Sequence, residues 1–158
     1  ANTVYQYHVD TKENEVCVSG AEVRDFIGED AELILLYGVV DEGIVFWAHP
    51  QNRMLFKEKE RGRLRELSLP ENLPVEGARL NSVVCQTEQG VYFDYYIINQ
   101  ESGILGDWII WYGYISWEDL LSGKNDVKVV LYPRVSSSGA LVDKEGNVIG
   151  TESGEKYD

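Results

Sequence analysis

The feature that most constrains the fold of this chain is the shortness of its apolar segments. The two longest, Leu33–Val40 and Trp108–Ile115, are each no longer than one strand and contain a glycine. Both fall well short of the roughly 20 apolar residues that a membrane-spanning helix needs. Turn-forming residues follow at close spacing, as in Asp41-Glu42-Gly43. Short strand-like segments between frequent turns are typical of antiparallel β structure.

We therefore predict a mainly β fold, α+β at most: an antiparallel barrel or sandwich of about nine or ten short strands with one or two short helices. The helices are predicted from N-terminal capping signals, because Ser19 stands three residues before Glu22 and Ser116 three residues before Asp119. The segment Leu33–Val40 is predicted to be a buried strand.

The length of 158 residues fits one domain with a real core. We predict a single globular domain over 1–150 and a polar, frayed tail over 151–158. The segment 41–46 is similar to 88–93, with a glycine and a phenylalanine at matching positions. Since a repeat array needs more copies than two, we interpret this similarity as two hairpins that obey the same turn rule.

The charge of the chain is its most unusual global property. It has 14 basic and 27 acidic residues, for a net charge of −13. Such a chain repels nucleic acid over most of its surface and attracts basic proteins. Two explanations of this charge stay open: it keeps the chain in solution, or it attracts a basic protein as partner. No nucleic acid and no membrane span are expected. Six of the basic residues lie in the segment from Arg53 to Arg65. The oligomeric state stays open.

The residues that bind metals and cofactors are sparse. The two histidines, His8 and His49, have no Cys or His at ligand spacing, and no CxxC pair occurs. No metal and no cofactor is predicted. Cys17 and Cys85 lie in Val-rich segments and are interpreted as free buried thiols; a disulfide between them would favour an extracytoplasmic protein. The compartment stays open between the cytoplasm and, for a trimmed mature domain, an extracytoplasmic site.

One segment is similar to part of a known family of enzymes. The residues Ser137-Ser138-Gly139-Ala140-Leu141-Val142 resemble the surroundings of the nucleophile in trypsin-like serine proteases, and Ala48-His49 resembles their Ala-His pair. With Asp94 between them, the order His49, Asp94, Ser137 matches the His-Asp-Ser order of that family. However, Ser136 and Ser138 stand where the family has the glycines that form its oxyanion turn. The resemblance implies a degenerate serine hydrolase.

Aromatic residues are concentrated in the second half of the chain, with Trp108, Trp111 and Trp117 within ten residues. On a strand, Trp108 and Trp111 point to opposite faces, of which one packs the core. The other face is either buried as well, between the sheet and a helix, or turned outward and available for recognition. An outward aromatic row suits a protein or a sugar ring.

Three classes of function follow. The first is a non-enzymatic acidic protein-binding domain, such as an inhibitor or a toxin-neutralising immunity protein. The second is an extracytoplasmic envelope or lipoprotein domain that binds a ligand, and the third is the hydrolase. For the first class, the predicted partner-binding residues are Glu29, Asp30, Glu32, Trp108, Trp111 and Trp117.

Overall fold

The structure is a computed structural model that describes residues 3–143, 145 and 147–151. Its contacts divide the chain into two compact units, residues 1–69 and 70–158. In the described residues, 12 strands form three antiparallel sheets, accompanied by two short helices. The predicted mainly β, antiparallel fold is confirmed, although the strands outnumber the nine or ten expected and the described residues form no closed barrel.

The domain boundaries stay a prediction, and each unit is described by itself. Of the predicted tail, Thr151 ends the last strand, and residues 152–158 lie outside the described residues.

Unit 1, residues 1–69, consists of a hairpin, a helix and a four-stranded sheet. The elements are β1 (Val4–His8), β2 (Glu13–Val18), α1 (Gly20–Ile27), β3 (Leu33–Val40), β4 (Gly43–His49), β5 (Arg53–Glu58) and β6 (Leu64–Glu66). The hairpin pairs β1 with β2, and the sheet runs in chain order β3-β4-β5-β6. Strand β3 is therefore an edge strand with a neighbour on one side.

The core of unit 1 joins the helix to one face of this sheet. Val23 of α1 packs in one cluster with Ile34, Phe46 and Leu55, which lie on three adjacent strands. Their alternation with residues on the opposite face follows from the period of two along a strand. Burial of these apolar side chains is the main force that holds the helix on the sheet.

The helix of unit 1 begins where its capping signal predicts. The backbone N–H of Glu22 donates to the hydroxyl of Ser19 at 3.1 Å, and the helix ends at Gly28 in the left-handed conformation. The ammonium group of Lys57 donates to the carbonyl of Cys17 at 2.6 Å and to the carboxylate of Glu22 at 2.9 Å. These bonds tie β5 to β2 and α1.

Unit 2, residues 70–158, is built on a six-stranded antiparallel sheet in which each strand pairs with the next along the chain. The elements are β7 (Arg79–Gln86), β8 (Gly90–Ile98), β9 (Trp108–Ser116), α2 (Trp117–Ser122), β10 (Lys128–Val135), β11 (Ala140–Val142) and β12 (Val148–Thr151). The short helix α2 joins β9 to β10.

The sheet of unit 2 has one buried face and one half-exposed face. Val91, Phe93 and Tyr95 of β8 are buried, and each pairs with a β9 residue of the same face. Trp117 and Leu120 of α2 complete this core. The helix has the predicted cap, since Asp119 N–H donates to the hydroxyl of Ser116.

The similarity between 41–46 and 88–93 has a common structural cause. Gly43 and Gly90 each begin a strand that lies between two others, β4 and β8. A Cβ atom on Gly43 would lie 2.0 Å from the carbonyl oxygen of Lys57, and one on Gly90 would lie 2.3 Å from that of Ile115. Both positions require glycine because the neighbouring backbone approaches too closely for any side chain.

Candidate binding surfaces

The three acidic residues that are predicted to bind a partner lie in unit 1, on the segment between α1 and β3, and all of them are exposed: Glu29, Asp30 and Glu32. The carbonyl of Asp30 accepts a hydrogen bond from the Gln51 amide at 2.9 Å. The N–H of Glu32 donates to the His49 carbonyl at 2.8 Å, which fixes the start of β3. Three carboxylates thus directly precede this edge strand.

Strand β3 is more exposed than the sequence predicts. Its bounds are as predicted, but Ile34 is the only one of its eight residues that is buried. Leu33, Leu35 and Leu36 are 37–44% exposed, and Val39 is 72% exposed. The prediction of a buried strand is wrong because position in the sheet, rather than apolar content, decides burial at an edge.

Both ends of β3 carry acidic residues, since Asp41 and Glu42 follow it and both are exposed. We define the β3 edge as the strand together with its acidic flanks, Glu29, Asp30, Glu32, Asp41 and Glu42. On its outer side, the described residues supply no strand partner. The β3 edge therefore presents backbone groups that no described strand pairs with, and apolar side chains, between two clusters of negative charge.

The basic segment Arg53–Arg65 lies in the same unit, and several of its cations are paired. Arg53 forms a two-pronged ion pair with Glu66, and Lys57 pairs with Glu22. The guanidinium of Arg65 lies 4.9 Å from the centre of the Phe56 ring. These cations serve contacts within the unit.

The three predicted tryptophans all lie in unit 2, with different exposures. Trp108 is partly exposed, Trp111 faces the core side of β9, and Trp117 is only 6% exposed. The indole N–H of Trp117 donates to the Thr87 carbonyl at 2.8 Å, so its hydrogen-bonding capacity is used inside the unit. Of the three, Trp108 offers the most surface, and partner binding by this set stays a prediction.

The half-exposed face of the unit 2 sheet carries paired aromatic rings. Tyr92 lies 4.9 Å from Tyr114, and Tyr96 lies 5.0 Å from Trp108, between ring centres. Tyr112 lies between these two pairs along the sheet. We call the surface formed by these five rings the aromatic face. Of the two alternatives for the second face of β9, burial and outward exposure, the structure thus has a half-exposed aromatic face.

A groove of about 560 Å³ borders the aromatic face. The guanidinium carbon of Arg134 lies 6.0 Å from the centre of the Tyr112 ring within it. Sequence reasoning missed this groove, although Pro133 inside β10 was a signal, because proline within a sheet marks an edge or a bulge. The lining residues are Tyr112, Leu131, Tyr132, Arg134 and Leu141.

The only buried carboxylate of the described residues is Asp107, which sequence reasoning also missed. It accepts hydrogen bonds from Asn99 at 2.9 Å, from the Ser136 hydroxyl at 3.0 Å and from the Ser137 N–H at 3.0 Å. Burial raises the pKa of Asp107, but hydrogen bonds from Ser102, Ser137 and Ser136 outweigh burial and lower the pKa to about 2. Asp107 thus ties the β8–β9 loop to the turn after β10.

The residues of the protease resemblance do not assemble within unit 2. The carboxylate of Asp94 accepts bonds from the Ser82 N–H, the Ser82 hydroxyl and Asn81. Ser137 is bound to Asp107, which directly precedes β9. Asp94 pairs with Tyr112, five residues further along the chain, which corresponds to roughly 16 Å at the usual rise per residue. His49 lies in unit 1.

The remaining candidates carry no site in the described part of the chain. No group of three or more His, Cys, Asp or Glu residues there is placed to hold a metal ion. Cys17 and Cys85 are free thiols, and Cys85 is exposed rather than buried as predicted. Neither described helix is long and apolar enough to cross a membrane.

Comparisons with known proteins assign no family to this chain: it matches no protein-family model, and no curated protein or solved structure is significantly similar to it.

Proposed function

We propose that this chain is a non-enzymatic, acidic protein-binding domain that adds an extended segment of a basic partner to the β3 edge. The observation that carries the proposal is an apolar edge strand, half-exposed and lying between two acidic clusters. An inhibitor or immunity protein is one form of such a domain.

Backbone pairing supplies the common part of the binding energy. An edge strand presents a row of N–H and C=O groups that a second extended chain can satisfy. The register between β3 and β4 shifts at Tyr37, between Leu36 and Gly38. This irregularity leaves the four residues before it as the longest regular stretch for a partner strand.

Side chains on the β3 edge add apolar contact. Leu33 and Leu35 stand opposite His49 and Trp47 of β4, so they share one face. Leu36 and Val39 are also exposed. Natural edge strands are protected by lysine, proline, inward charges or β-bulges. β3 contains no lysine, proline or charged residue, and its one irregularity, at Tyr37, leaves the stretch from Leu33 to Leu36 regular.

Charge selects the kind of partner. A strand with basic flanks places cations beside Glu29, Asp30 and Glu32 at one end and beside Asp41 and Glu42 at the other. A second copy of this chain would bring acidic flanks together in either strand orientation, which costs free energy. The same flanks that favour a basic partner therefore oppose self-association.

The test uses two fluorescein-labelled peptides with the same alternating Val-Thr centre, one flanked by two lysines at each end and one by two glutamates. Fluorescence anisotropy with the full chain should show binding of the lysine-flanked peptide alone. The variant E29K/D30K/E32K should weaken this binding at least tenfold, since three attractions become repulsions. The control E71K/E76K/E88K makes the same change in net charge at exposed carboxylates of unit 2 and should weaken it less than threefold.

Two results would overturn the proposal. Equal losses in the two triple variants would show that net charge acts at long range, without a site at β3. Dimerisation of the unmodified chain in sedimentation experiments, abolished by V39K, would make a second copy the occupant of the edge.

A further inference from the structure

The groove of unit 2 is shaped by a bulge in β10. Val130 pairs with Tyr112 and Arg134 pairs with Ile110. Three residues of β10, 131–133, therefore stand opposite the single residue Trp111. Extra residues of this kind re-aim side chains and are concentrated beside functional sites.

The bulge holds its backbone in an unfavourable conformation. Leu131 has φ 62°, in the left-handed region that a branched side chain rarely adopts. Its side chain is 75% exposed, and that of Tyr132 is 61% exposed. The strained backbone thus holds two large, largely apolar side chains in solvent, at a cost in conformational free energy. Neither exposed side chain contributes to the core.

The groove beside these residues has the size and lining of a small-molecule site. Its volume, about 560 Å³, falls in the range of about 300–1,000 Å³ found for ligand pockets. Leu131, Tyr132, Tyr112 and Leu141 provide apolar surface, and Arg134 provides one charged donor group. Apolar walls with one well-placed polar group are the usual composition of such pockets.

The charge of the strands differs from that of the unit as a whole. The six strands of unit 2 contain three basic residues, Arg79, Lys128 and Arg134, and one carboxylate, Asp94. Asp94 is engaged by Ser82 and Asn81. The described strands of this sheet therefore carry a net positive charge, while the other described acidic residues of unit 2 lie in loops and the helix.

We infer that this groove is a binding site for a small organic acid with an apolar ring, whose carboxylate meets Arg134 and whose ring lies against Leu131, Tyr132 and Tyr112. A guanidinium is well matched to a carboxylate because it offers parallel N–H donors. The net charge of −13 repels extended polyanions such as nucleic acid over long distances, whereas a single carboxylate gains the local attraction at little such cost. The site lies in unit 2 and is independent of the β3 edge.

The experiment compares 2-naphthoate with its uncharged analogue 2-naphthamide by isothermal titration calorimetry on the full chain. We expect the wild type to bind naphthoate at least tenfold more tightly than naphthamide. R134Q should remove this preference, and R134K should keep part of it because the charge remains while the planar donors are lost. The control K128Q removes a cation of the same sheet that does not line the groove and should change the affinity less than twofold.

A second variant separates binding from folding. In L131G, glycine accepts the positive φ without strain, so the melting temperature should stay the same or rise while naphthoate affinity falls at least fivefold. A lower melting temperature with unchanged affinity would show that Leu131 supports the fold and would overturn the inference.

Other outcomes are equally decisive. Equal binding of the two probes by the wild type, or an unchanged preference in R134Q, would refute a carboxylate site. Tighter binding of an eight-residue oligothymidine than of naphthoate, sensitive to K128Q, would make single-stranded nucleic acid the ligand instead. The variant E29K/D30K/E32K should bind naphthoate as the wild type does, so failure of one proposal is distinguishable from failure of the other.

Discussion

The buried hydroxyl of Tyr95 allows a quantitative test of the unit 2 core. Tyr95 is fully buried, and its hydroxyl donates to the carbonyl of Pro70, 25 residues earlier. In Tyr95→Phe the ring stays and the hydrogen bond is lost, which leaves a buried carbonyl unpaired. Such a loss costs about 1–3 kcal/mol.

The assay is urea unfolding followed by tryptophan fluorescence. For a loss of about 2 kcal/mol and an m-value of about 2 kcal/mol/M, the midpoint should fall by about 1 M. The matched control, Tyr132→Phe, removes a hydroxyl from an exposed side chain and should change stability by less than about 0.5 kcal/mol.

The same substitution predicts a pH dependence. Burial, with a smaller contribution from the charge of Asp94, raises the pKa of Tyr95 above its ordinary value of 10.0. Because the unfolded state then releases the proton first, the stabilisation is fully present below pH 10 and is lost as the pH rises above it. The stability gap between wild type and Tyr95→Phe should therefore narrow between pH 9 and 11. A gap that stays constant with pH would contradict the raised pKa of Tyr95, and equal midpoint shifts in Tyr95→Phe and Tyr132→Phe would refute the assigned hydrogen bond.

Three further predictions concern the rest of the chain. Because the pKa of Asp107 lies below its ordinary value of 3.8, the stabilisation that Asp107 provides is present above about pH 4 and is lost as the pH falls towards 2. In Asp107→Asn, stability measured by near-UV circular dichroism should therefore depend less on pH between 4 and 2. An unchanged pH dependence would contradict the assigned pKa. Gly90→Ala forces a Cβ against the Ile115 carbonyl and should cost about 1–3 kcal/mol in urea unfolding, whereas Glu118→Ala at an exposed position should cost little. With a net charge of −13, the melting temperature should rise modestly from low to moderate salt, and a flat or falling curve would show that the acids are locally paired.

Local sequence signals determined much of the secondary structure. Ser19 and Ser116 begin the two helices as predicted, because a hydroxyl three residues before an N–H satisfies that donor without help from distant residues. The strand Leu33–Val40 has its predicted bounds, and alternation along β9 places Trp108 and Trp111 on opposite faces as predicted. These features depend on neighbours a few residues apart, which the sequence displays directly.

The tertiary structure decided which of these elements are accessible. Leu33–Val40 reads as a buried strand, yet its place at the end of the sheet order exposes it. Trp117 is buried, with its indole N–H bound to the carbonyl of Thr87, 30 residues earlier. Asp107 is held by serines almost 30 residues later. The groove at Leu131 exists because three residues of β10 stand opposite a single residue of β9. Edge position, long-range hydrogen bonds and register depend on which distant segments meet, and no local pattern in the chain encodes that pairing.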